Sequence, residues 1–94
     1  MPEKILVIDD EEATVQLISM LLEKRGFETI KAFRAEEGLR KAYRHQPDLV
    51  LLDIMMPDMD GWDVCKRLRE MSDVPIVFLS ARSDVKDVVK GLEM

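Results

Sequence analysis

The sequence holds a single cysteine, Cys65, so no disulfide can form within the chain and a small disulfide-stapled fold is excluded. Four glycines and four prolines in 94 residues are too few for a collagen-like repeat or a flexible low-complexity linker. Positive charge is short as well: 14 Lys and Arg against 19 Asp and Glu leave a formal charge of −5. A chain with no cationic excess is poorly suited to neutralising a phosphate backbone, so nucleic-acid contact by this segment is not expected. No apolar run is long enough for a signal peptide or a membrane span, which makes a cytoplasmic location without membrane contact the expectation.

What is present suits one compact domain over residues 1–94. Hydrophobic residues make up 47 % of the chain and charged residues 35 %. A domain of this size buries roughly 60 to 65 % of the surface that it exposes when unfolded, so its stability margin is thin.

Short apolar runs alternate with amphipathic stretches. "KILVI" (4–8), "ETIKAF" (28–33), "DLVLLD" (48–53) and "PIVFL" (75–79) are predicted strands, each brief, rich in branched residues and bounded by polar punctuation. Two of them carry four consecutive apolar residues, the pattern of strands covered on both faces. Helical spacing joins Val15, Ile18, Leu21 and Leu22 over 11–25, a segment that stops at Gly26. Weaker stripes run over 35–45 (Ala35, Leu39, Ala42, before Pro47) and 61–71 (Val64, Cys65, Leu68). A fourth helix is predicted over 84–93, with Ser83 as its N-cap. The order βαβαβαβα implies right-handed crossovers and a doubly wound α/β domain with a parallel sheet.

In such a sheet, ligands bind outside the carboxyl ends of the strands, where strand order reverses. Asp9 and Asp10 end the first strand, and Asp53 ends the third. If those strands are neighbours, as in the flavodoxin-like order 2-1-3-4, three carboxylates meet in one crevice and their repulsion calls for a cation. Magnesium fits, because it prefers one or two carboxylates, other hard oxygens and waters. A simpler reading takes "DDEE" as a cap that complements the positive end of the first helix. Asp53, placed after four apolar residues, argues against mere solvation. Ser80 adds a hydroxyl at the end of the fourth strand.

"ILVIDDEE", "PDLVLLDIMMPDMDGWDVCKRLR" and "VPIVFLSA" give this sequence a close resemblance to the receiver domain of bacterial two-component response regulators, over almost the whole chain. The resemblance implies that Asp53 accepts a phosphoryl group from a sensor histidine kinase and that Asp9 and Asp10, with Asp53, hold Mg2+. It also implies that the backbone carbonyl of Met55 joins the metal ligands and that the Ser80 hydroxyl turns toward the phosphoryl group as a switch. Pro57 and Gly61 match the family's loop after the acceptor strand, while Met55 and Arg82 match positions that tune the lifetime of the phosphorylated state. Activity of this kind is self-catalysed phosphotransfer and dephosphorylation rather than that of a conventional enzyme.

The family continues into a fifth strand, a fifth helix and a phosphate-pairing lysine, for which this sequence has no matching positions. The expectation is a truncated receiver whose strand 4 is an open edge. An alternative function follows, in which the fragment is not phosphorylation-competent and self-associates through strand 4 and helix 4. Two rivals fare worse. A flavin carrier needs a hydroxyl- and glycine-rich phosphate loop where "DDEEAT" stands, and aspartyl phosphatases usually carry a second Asp two positions after the nucleophile, where this chain has Glu11.

Overall fold

A computed structural model describes residues 3–54 and 56–79. Within them the chain runs β1 (Lys4–Ile8), α1 (Glu12–Lys24), β2 (Glu28–Ala32), α2 (Ala35–His45), β3 (Leu49–Asp53), α3 (Gly61–Met71) and β4 (Ile76–Leu79). The predicted fourth helix lies outside the described residues. All strand pairs are parallel, in the order β2-β1-β3-β4. This is the flavodoxin-like arrangement expected from the alternation of elements.

The consecutive apolar runs are explained by two cores, one on each face of the sheet. Successive side chains of a strand point to opposite faces. Leu6, Ile8, Val50 and Leu52 therefore pack with Ala35 and Ala42 of α2 and Val64 and Leu68 of α3. Ile5, Val7, Leu51 and Leu79 pack on the other face with Val15, Ile18 and Leu22 of α1. At roughly 25 cal/mol per Å² of apolar surface removed from water, these two layers supply the main force holding β1 and β3 side by side.

Helix α1 ends as Gly26 suggests. That residue adopts φ +90°, and the amides of Gly26 and Phe27 donate to the Glu23 and Leu22 carbonyls at 3.0 and 3.1 Å. This pair of bonds closes the last helical turn at a left-handed residue. Helix α2 closes at Gln46, also left-handed at φ 50°, and Pro47 prevents continuation.

Three strands are one residue shorter than expected, each for a local reason. Phe33 leaves β2 because its amide donates to the Glu37 carboxylate at 2.7 Å. Asp48 precedes β3, using its amide and carboxylate to bind the backbone of Lys4. Pro75 precedes β4 because it has no N–H, although its carbonyl accepts from Val50. Among the described residues β4 pairs on one side only, with β3, and Val77 is 36 % exposed.

Candidate functional site

The connection from β1 leads to β2 and the one from β3 leads to β4, so strand order reverses between β1 and β3. The register pairs Ile8 with Leu52, which sets the next residues, Asp9 and Asp53, level with each other at the carboxyl end of the sheet. Asp10 follows directly. One carboxylate oxygen from each of Asp9, Asp10 and Asp53 lies within 4.8 Å of the others. Two stretches of chain more than 40 residues apart thus meet through register alone.

Burial differs among the three. Asp9 is buried at 7 % exposure, Asp53 is half-buried and Asp10 is exposed. The sequence argued against mere solvation for Asp53, which is indeed half-buried, and made no ranking between it and Asp9, the deeper of the two. Both β1 and β3 are flanked on each side, so centrality does not rank the two; beyond the end of β1 the Asp9 amide still donates to Ala32 of β2 at 3.1 Å, which keeps this residue against the sheet. Burial pushes the Asp9 carboxyl from its ordinary 3.8 up to about 7. The Glu11 amide, donating to Asp9 Oδ1 at 3.0 Å, opposes that shift, and the charge of Asp53 adds to it.

The acidic run does little capping. Glu11 stands at the N-cap of α1, and its side chain makes no capping hydrogen bond. The cluster therefore concentrates negative charge beyond what the helix end requires. Three hard oxygen donors in a half-buried crevice, one of them raised toward neutrality by burial, form a donor set that fits a small divalent cation.

The loop from β3 to α3 is held tightly. The Gly61 amide donates to the Ile54 carbonyl at 2.9 Å, and a Cβ at Gly61 would stand 2.6 Å from Ile54 Cα and 2.7 Å from the Asp53 carbonyl oxygen. Both obstacles are backbone, so only glycine lets α3 begin this close to the end of β3. Asp60 caps α3 by accepting from the Trp62 amide at 2.8 Å. Met56 is buried in the core under α2 and α3, with Met59 packed against it. Trp62, 57 % exposed, rests on Phe78 with ring centroids 4.6 Å apart. Cys65 is a half-buried free thiol on the inner side of α3.

Of the site residues expected from sequence, Asp9, Asp10 and Asp53 come together. Met55, Ser80 and Arg82 lie outside the described residues. Sequence reasoning missed Glu37 and Asp58, whose carboxylates serve the start of α2. Glu37 three residues after the N-cap position was a readable signal; the Asp58 contact, spanning 23 residues, was not.

Comparison with known proteins agrees with this geometry. A family model described as the response regulator receiver domain matches residues 5–94. The alkaline phosphatase synthesis transcriptional regulatory protein PhoP of Bacillus subtilis is 46 % identical over 95 residues, covering 100 % of this chain and 40 % of PhoP. The DNA-binding response regulator MtrA of Mycolicibacterium smegmatis is 44 % identical over 93 residues, covering 99 % of this chain and 41 % of MtrA. The chain thus spans about two-fifths of the length of these curated relatives. Among solved structures, the BeF3-activated N-terminal receiver domain of Klebsiella pneumoniae RstA superimposes with a TM-score of 0.80 at 33 % identity, over 97 % of this chain and 78 % of that one. The Vibrio cholerae chemotaxis protein CheY4 shares the fold with a TM-score of 0.89 at 24 % identity, over 99 % of this chain and 98 % of that one.

Proposed function

This chain belongs to the response regulator receiver domain family, and on that premise we propose that residues 1–94 form a phosphoacceptor domain that takes a phosphoryl group from a sensor histidine kinase onto Asp53. The observation that carries the reading is the meeting of the Asp9, Asp10 and Asp53 carboxylates within 4.8 Å at the reversal of strand order.

Asp9, Asp10, Asp53 and the Met55 carbonyl are the residues proposed to hold Mg2+. When bound, the ion supplies positive charge that offsets repulsion between the carboxylates and the incoming phosphoryl group. Asp53 is the nucleophile: one carboxylate oxygen forms a bond to phosphorus as the bond from phosphorus to the donor imidazole nitrogen breaks, and that nitrogen keeps the electron pair. The product is an acyl phosphate on Asp53, later hydrolysed by water. The Glu11 amide fixes the Asp9 carboxylate beside Asp53, and Gly61 lets the loop after Asp53 fold back without displacing it. The Ser80 hydroxyl is proposed to follow the phosphoryl oxygens and shift a two-state equilibrium.

Nucleic-acid contact is not part of this proposal for the segment itself, because its formal charge of −5 offers no cationic excess. Among the described residues no helix is long and apolar enough to cross a membrane, and a cytoplasmic setting shared with a kinase domain is proposed.

The test is phosphorylation by a phosphohistidine donor with Mg2+ present. The wild-type chain is expected to gain one base-labile phosphoryl group, and Asp53→Asn none. Label retained by Asp53→Asn, or a base-stable phosphate in the wild type, contradicts the reading.

A further inference from the structure

Helix α2 begins without a cap from its own segment. Arg34 occupies the N-cap position with extended backbone (φ −146°, ψ 156°), and a guanidinium has only donors to offer, so it cannot accept from the first helical amides. Glu37 reaches back to the Phe33 amide, one residue outside the helix. The Ala35 amide is satisfied from elsewhere: Asp58, in the loop between β3 and α3, accepts from it at 3.0 Å through Oδ2 and 3.3 Å through Oδ1.

This contact joins the two loops that flank the carboxylate site. Pro57 and Asp58 from one loop and Phe33 and Arg34 from the other line a single cavity of about 390 Å³, and Asp10 forms another part of its wall. Asp58 is not among the carboxylates whose oxygens converge, so its place is explained by the helix amide rather than by a shared cation. A carboxylate at a helix N-terminus gains from the helix dipole, and a charged acceptor makes a shorter and stronger hydrogen bond than a neutral one.

We propose that Asp58 is a positioning residue for the phosphoacceptor site: by accepting from the Ala35 amide it pins the loop after Asp53 to the start of α2 and keeps that loop beside Asp10. This rests on the reading of the site as a receiver centre. Two roles have to be separated, since Asp58 also acts as the missing cap of α2. Arg34→Ser separates them, because a local serine cap restores the helix end without restoring the tie between loops.

The experiment compares wild type, Asp58→Asn, Asp58→Ala and Asp58→Ala with Arg34→Ser. Mg2+ alone is titrated against Trp62 fluorescence, thermal melting is recorded, and exchange of the Gly61 amide, which closes the loop onto Ile54, is followed by magnetic resonance. Asp58→Ala is expected to weaken Mg2+ binding about tenfold, as loss of supporting contacts around metal sites commonly does, and to speed Gly61 exchange. Asp58→Asn, which keeps an acceptor oxygen, is expected to retain most of the Gly61 protection. Adding Arg34→Ser is expected to recover the melting temperature and neither of the other two losses. Unchanged Gly61 exchange in Asp58→Ala overturns the inference, whether or not Mg2+ binding falls, because charge loss alone then accounts for the affinity. Full recovery of both by Arg34→Ser also overturns it. A wild type that binds no Mg2+ contradicts the receiver reading instead, and Gly61 exchange then decides the tie by itself.

Discussion

Asp9 is the residue on which most of the site's energetics turn. Its carboxyl is raised from 3.8 to about 7 mainly by burial, so in the absence of a cation the folded chain binds a proton there that the unfolded chain has released. The sign follows: between about pH 4 and about pH 7 the folded state holds more protons than the unfolded state, and stability falls as pH rises through that window. Melting temperatures in chelator are expected to decline across it for the wild type and to stay flatter for Asp9→Asn. Parallel curves for the two proteins contradict the assignment. Gly61 makes a second prediction at this scale. In Gly61→Ala the new methyl meets backbone of Asp53 and Ile54 at 2.7 and 2.6 Å, neither of which can rotate away. A loss of roughly 1–3 kcal/mol in urea unfolding is expected, as for other overpacked sites, together with loss of phosphate uptake at Asp53.

Among the elements, α2 shows most clearly what a sequence reveals about itself and what it withholds. Its span of 35–45 was legible, since Pro47 and the spacing of Ala35, Leu39 and Ala42 are local signals. The acceptor for its first amide was not, because Arg34 cannot cap and that acceptor is Asp58 in another loop. Pairing of that kind is set by tertiary folding and leaves no periodic trace. Glu37 carries the local share of the task. Donation from the Phe33 amide holds its carboxyl below the usual range, with Lys41 at 3.4 Å contributing after that. A carboxyl lowered on folding adds stability above its unfolded value and loses it as pH falls through the folded one. Glu37→Gln is therefore expected to cost about 1 kcal/mol near neutrality, by loss of a charged acceptor, and much less in acid. Chemical unfolding at the two pH values checks this; an equal cost at both contradicts it.

For the molecule as a whole, the sheet order and the site were legible for a shared reason. Alternating short apolar runs and helical stripes permit few topologies, and a parallel order of 2-1-3-4 brings the ends of β1 and β3 together without further instruction. The depth ranking of the carboxylates was not legible, because Asp9 and Asp53 each follow four apolar residues on a strand with a neighbour on either side. The two apolar layers clamp β1 and β3 on both faces, so the crevice is a product of the core rather than of the loops. The three carboxylates therefore stand together as one cluster.

Carboxyl carbon resonances of Asp9, Asp10 and Asp53, followed through a Mg2+ titration of the wild-type chain, test whether the cluster takes up one ion as a unit. A single shared midpoint for all three is the predicted result. Resonances that stay still, or that move with separate midpoints, contradict it.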